Sequence, residues 1–166
     1  MAKTKIVEMV GFVEWAKIFP QNMDDNMDFH EKTQGQFNMN FYPETEDEFE
    51  KYFSAGAPTS TMGHDTIKMG TEGLGLGKFV RLKRPNVHPS GIEDFGGAPD
   101  VYDFTEGESL ARWDFDEKGE LGNGSKVKVK VSIYGTGPRA SIRLEKVAVL
   151  EHVEYEGGET IKKEGF

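Results

Sequence analysis

The chain has no cysteine among its 166 residues. That excludes a disulfide framework, a thiolate nucleophile and any cysteine-held metal, and it permits a reducing compartment. Histidine is sparse: His30, His64, His88 and His152 lie far apart, and no two have metal-ligand spacing. No apolar run approaches membrane-spanning length, and Glu8 interrupts the first one where a signal peptide needs continuity. A soluble, untargeted chain is expected. No serine sits in a nucleophile elbow. Two near-motifs fail at their defining positions. The stretch from Asp24 resembles a calcium loop but has Phe29 at the sixth position and Gly35 at the twelfth. Gly77-Lys78 lacks the first glycine of a phosphate loop (Glu72 stands there) and has Phe79 where Ser or Thr must meet magnesium. The acids Asp94, Asp100, Asp103, Asp114 and Asp116 permit a two-metal nuclease cluster, but turn-forming acids in a Gly- and Pro-rich stretch explain them more simply. The chain is therefore expected not to be an enzyme and to need no cofactor or metal.

With 36% hydrophobic residues, one domain can bury its own core. The formal net charge of −9 argues against a polyanionic partner, but the charge is segregated. Acid gathers in residues 44–50, in 93–120 and in the last sixteen, while 78–84 and 126–143 are basic. Only the local field matters to a strand bound in a groove.

The basic stretches have strand periodicity. In 126–134, Val127, Val129, Val131 and Ile133 alternate with Lys126, Lys128, Lys130, Ser132 and Tyr134, so one face is core and the other is a cationic row ending in an aromatic ring. Gly135-Thr136-Gly137-Pro138 turns the chain, and a second strand follows with Ile142 and Leu144 inward and Arg139, Ser141 and Arg143 outward. Its apolar phase then slips at Glu145-Lys146, to Val147 and Val149, as at a β-bulge on a barrel corner. Lys78 to Pro85 repeats the pattern, with Val80 and Leu82 inward and Phe79, Arg81 and Lys83 outward. Cations that track phosphates and rings that stack bases suit a single nucleic-acid strand.

Three further elements are read from the sequence. Residues 6–19 form a first strand, with Val10, Phe12, Ala16 and Ile18 on one face and Trp15, Lys17 and Phe19 on the other; core packing of Trp15 is equally open. A second strand, 36–41, turns Phe37, Met39 and Phe41 inward and Gln36, Asn38 and Asn40 outward, and Pro43 closes it. Thr45 and Glu48 form a capping box for a helix over 46–54 that plugs the barrel. Residues 56–77 are a glycine-rich loop, and 85–124 are long loops with one extra strand around Ala111-Arg112-Trp113. The expected fold is mainly β: a five-stranded OB-type barrel with one short interposed helix, over residues 1–152, and a flexible acidic tail over 153–166 ending in Phe166.

The run Gly122-Asn-Gly-Ser-Lys-Val-Lys-Val-Lys, followed by a turn and Ala140-Ser-Ile-Arg-Leu-Glu-Lys-Val, resembles the C-terminal hairpin of the single-stranded DNA-binding proteins of T-odd podophages, densely over about thirty residues and more loosely elsewhere. The resemblance implies an OB-fold and a role in phage DNA replication and recombination in the cytoplasm of the infected bacterial host. It also implies an acidic tail that docks replication proteins such as polymerase and helicase-primase; the sequence leaves a homodimer open. Glu154, Glu156, Glu159, Glu164 and Phe166 match such a tail, although it is short and carries Lys162 and Lys163. The expected function is sequence-independent binding of single-stranded DNA. Backbone contacts are expected from Lys17, Lys78, Arg81, Lys83, Lys126, Lys128, Lys130, Arg139 and Arg143, and stacking from Trp15, Phe79 and Tyr134. The alternative is a protein-interaction module, a phage accessory or virion component whose basic strands dock an acidic partner without DNA.

Overall fold

The computed structural model describes residues 4–26, 31–57, 62–64, 78–88, 90–135 and 140–154. Among the described residues the strands and α-helices follow in the order β1 (Lys5–Lys17), β2 (Gln36–Pro43), α1 (Glu46–Ser54), β3 (Met62–His64), β4 (Lys78–Pro85), β5 (Asp100–Asp103), α2 (Phe115–Lys118), β6 (Lys126–Tyr134) and β7 (Ser141–Glu151). The strands form one sheet in the order β3-β4-β2-β1-β6-β7-β5. The five long strands are the expected barrel. β3 extends the β4 edge antiparallel, and β5 runs parallel to the far side of β7. The expected extra strand at 111–113 is reduced to a single bridge between Tyr102 and Arg112, because β5 occupies the edge of β7.

β4 and β7 face each other across the seam of the barrel, and Arg84 ties them. Its guanidinium donates to Glu145 Oε1 at 2.7 Å, to the Leu144 carbonyl at 3.4 Å, and to the Gly96 and Gly97 carbonyls at 3.1 and 2.8 Å. A buried cation is tolerated when it is paired and hydrogen-bonded on all sides. The bulge expected at Glu145-Lys146 is present: Lys130 pairs with Lys146 but Val131 with Leu144, leaving Glu145 as the extra residue. That residue is the carboxylate that meets Arg84, so the bulge aims the acid at the seam.

β1 departs from the expected register. Val7, Met9 and Val13 point inward, and Val10 and Phe12 point out. The phase reverses at a bulge between Glu14 and Lys17, where Trp15 has a left-handed backbone with φ 55°, and beyond it Ala16 and Ile18 are buried as expected. Phe19 is buried too, its ring 5.0 Å from that of Phe115, so it does not share the exposed face of Trp15 and Lys17. Gly11 is required where β2 crosses closely, since a Cβ there would sit 2.2 Å from the Tyr42 carbonyl.

α1 spans the expected residues and lies against β1 and β2, with Tyr52 wholly buried in the core. Thr45 is its N-cap residue, but the hydroxyl makes no capping hydrogen bond, so the expected capping box does not form. The acids considered as a metal cluster have separate partners: Asp100 pairs with Arg112, Asp103 with Lys118 and Thr105, and Asp114 caps α2 through the Glu117 N–H. Among the described residues no helix is long and apolar enough to cross a membrane.

Candidate nucleic-acid interface

The outer face of β1, β2 and β4 is a grid set by strand register. One row runs Lys17–Asn38–Lys83, the next Glu14–Asn40–Arg81. The third places Phe12 opposite Tyr42, whose ring lies 5.4 Å from that of Phe79. Cations occupy one end and aromatic rings the other. Asparagines line the middle strand, where a carboxylate would have neutralised the lysines on either side. Asn38 donates to Gln36 Oε1 and Asp24 Oδ2, and Asn40 accepts from Arg81 at 3.5 Å. Two acids reach this face: Asp24 is taken up by Asn38, and Glu14 is buried and takes the Tyr42 hydroxyl at 3.0 Å. Arg81 and Lys83 are exposed, and among the described residues neither they nor Lys17 forms an ion pair.

Trp15 stands at the edge of this face, 46% exposed, with its backbone N–H donating to Asn123 Oδ1 at 2.9 Å. A left-handed backbone costs a non-glycine residue about 1–2 kcal/mol. An exposed indole held in that conformation is the pattern of strain kept at a working surface.

The lysines of β6 continue the outer face beyond β1, with Lys126 opposite Phe12 and Lys130 opposite Glu8, and they are already paired. Lys126 meets Glu44 at 3.0 Å, and Glu8 bridges Lys128 and Lys130 at 3.2 and 3.6 Å. The hydrogen bond from Lys128 is the main force holding the Glu8 carboxyl below its ordinary range, with the charges of both lysines adding to it. The bond to Glu44 likewise raises Lys126. Lys128 and Lys130 border a hollow of about 240 Å³ with Tyr102, Phe104, Leu110 and Ala148.

Tyr134 and Arg143 form a third group at the tip of the β6–β7 hairpin. The Arg143 guanidinium lies 5.4 Å from the Tyr134 ring centre and 4.2 Å from that of Phe95, and its Nε donates to Glu145 at 2.9 Å. The expected contact residues thus divide into three clusters. Lys17, Arg81, Lys83, Trp15 and Phe79 come together; Lys126, Lys128 and Lys130 lie on the neighbouring β6 and are held by Glu44 and Glu8; Tyr134 and Arg143 join Phe95. Arg139, the side chain of Lys78, and the tail residues Glu156, Glu159, Glu164 and Phe166 lie outside the described residues. Glu154 forms a bridge with Leu121.

No family model matches the chain, and no curated protein matches it in sequence. Solved structures do. The single-stranded DNA-binding protein gp2.5 of bacteriophage T7 superposes with a TM-score of 0.52 at 20% identity, covering 99% of this chain and 96% of that one. The C-terminally truncated single-stranded DNA-binding protein of bacteriophage Enc34 gives 0.51 at 12%, covering 93% and 87%, and the untruncated form 0.50 at 12%, covering 94% and 86%. The chain has the fold of phage single-stranded DNA-binding proteins. The likeness falls on the same kind of protein as the hairpin resemblance, and it extends over nearly the whole chain.

The sequence reading turned Asn38 and Asn40 outward and gave them no role; they share the face of Lys17, Arg81 and Lys83 but are buried within it, at 2% and 9% exposure. Tyr42 follows Phe41 at a position where alternation points outward, yet its side chain is buried between its neighbours. Phe95 lies in an acid- and glycine-rich loop, and nothing local marks it.

Proposed function

We propose that this chain binds single-stranded DNA without reading its sequence, along the outer face of β1, β2 and β4. The observation that carries the proposal is the juxtaposition on that face of Lys17, Arg81 and Lys83, without carboxylate partners among the described residues, with the exposed Trp15 and the half-buried Phe79. Ammonium and guanidinium groups neutralise phosphates, and rings stack any base because every base has a π-face. The strand-2 and strand-3 face is also where OB-folds take oligonucleotides, and β2 and β4 hold those places here. The neighbours in fold, named as single-stranded DNA-binding proteins of phages, support the same reading and a place in phage DNA replication inside the infected cell. Binding rather than catalysis is the role. Docking of replication proteins by the segment after 154 is the finer part of the proposal, and it rests on the resemblance.

The test is titration of the protein with oligo-dT while tryptophan emission is followed. Trp15 is exposed and Trp113 is 7% exposed, its indole N–H bonded to the Gly119 carbonyl, so the signal belongs to Trp15. A salt-sensitive quench that disappears in Trp15→Phe supports the proposal. No quench and no retention of labelled oligonucleotide would turn the assignment to a protein-interaction module.

A further inference from the structure

We propose that the loop after β4 carries a second base-binding subsite, made by Phe95 and the cleft beside it, which takes a nucleobase of the strand as it leaves the Lys83 end of the main face. The proposal rests on the DNA-binding reading above and adds residues to it.

The loop is built tightly onto the end of β4. The Gly97 N–H donates to the Pro85 and Asn86 carbonyls at 3.0 and 2.6 Å, the Asn86 N–H to the Gly35 carbonyl at 3.1 Å, and Arg84 holds the Gly96 and Gly97 carbonyls from below. Gly96 allows the close approach, since a Cβ there would lie 2.9 Å from both the Asn86 carbonyl and the His88 nitrogen. Between the two limbs of the loop lies a cleft of about 210 Å³ lined by Val87, His88, Ile92, Glu93 and the glycines. Val87 and Ile92 are 39% and 48% exposed at this cleft. Two aliphatic side chains left in water beside aromatic rings supply an apolar surface for a flat, uncharged ligand.

Phe95 is fixed in this frame. The His88 ring meets it edge-on at 5.5 Å, and the Arg143 guanidinium lies 4.2 Å from its centre. Arg143 lies against Tyr134 as well, is itself only 11% exposed, and is anchored by Glu145. It is therefore a positioning residue that couples the two rings, rather than a cation presented to a phosphate. His88 Nδ1 accepts the Ser90 N–H at 3.1 Å, so the neutral ring carries its proton on Nε2, as a donor. Glu93 on the cleft wall disfavours a phosphate there and leaves the uncharged base as the fitting group.

The test uses two oligo-dT lengths, about four nucleotides, near the smallest OB-fold site, and about twelve. Phe95→Trp in a Trp15→Phe background puts a reporter in the subsite. The longer oligonucleotide should quench it, and the shorter, bound on the main face, should not. Phe95→Leu should lower affinity for the longer oligonucleotide about tenfold and leave the shorter unchanged, and Phe95→Tyr should restore it. Arg143→Lys should behave as Phe95→Leu does, with an unchanged salt slope; full affinity in Arg143→Lys would show a phosphate contact and overturn the positioning role. Equal affinities of Phe95→Leu and wild type for both lengths, with binding otherwise intact, would overturn the subsite alone. Binding of neither length by the wild-type protein would overturn the DNA-binding reading as well.

Discussion

β4 and β6 look alike in sequence, each alternating buried aliphatic residues with outward cations, yet the structure makes them opposites. On β4, Arg81 and Lys83 stand opposite Asn40 and Asn38. On β6, Lys130 stands opposite Glu8, which also reaches Lys128, and Lys126 finds Glu44. Alternation decides which side of the sheet a charge is on. The cross-strand neighbour, chosen by register, decides whether that charge is free. A lysine row opposite glutamates is a stabilised surface, and one opposite amides is a surface ready for phosphates.

The largest effect is expected from the cation on neither face. Arg84 is the inward member of the β4 run, and Arg84→Ala leaves Glu145 with only Arg143 and Ser132 and takes the guanidinium donor from the Leu144, Gly96 and Gly97 carbonyls at the seam. Denaturant unfolding should show a loss of about 3 to 5 kcal/mol. Next comes Trp15. Its removal should cost about 1 to 3 kcal/mol of oligo-dT affinity if it stacks a base, measured with a labelled oligonucleotide. Trp15→Gly should also relieve the left-handed strain and melt at or above the wild-type temperature. Loss of stability with binding retained would make Trp15 a structural residue. A smaller effect tests the sequestered face directly: Glu8→Gln removes the carboxylate shared by Lys128 and Lys130 and should tighten low-salt DNA binding by less than about 1 kcal/mol. Weaker binding in that variant would show that Glu8 helps to build the site.

The smallest effect lies on an ion pair outside both faces. The hydrogen bond from Lys118, with a second from Thr105, lowers Asp103 to about 2 from an ordinary 3.8. A depressed carboxyl stabilises the fold above its unfolded value, so this contribution is complete above about pH 4 and is lost as pH falls towards about 2. Lys118 also lies 5.1 Å from the Trp113 ring, so acid titration followed through Trp113 emission should show a step in that window that is absent in Asp103→Asn.

Much of the barrel was legible because its strands bury one face and solvate the other. β4 and α1 have the expected bounds, and the β7 bulge showed as a phase slip from Leu144 to Val147. β1 was misread because its bulge carries Trp15 in a conformation that glycine usually marks, so nothing local announced the reversal. β3 and β5, of three and four residues, are too short for periodicity to register. The candidate site was half legible. Outward cations and rings can be counted from alternation, but the Glu8 bridge and the Phe95–Arg143–Tyr134 stack join residues far apart in the chain.

The most direct test is the salt dependence of oligo-dT binding in two double variants. Each phosphate neutralised contributes about −0.7 to the slope of log affinity against log salt for a single strand. Arg81→Ala with Lys83→Ala should make the wild-type slope shallower by about 1.4, while Lys128→Ala with Lys130→Ala should leave it unchanged. The reverse result, with the β6 pair carrying the slope and the β4 pair silent, would contradict the account.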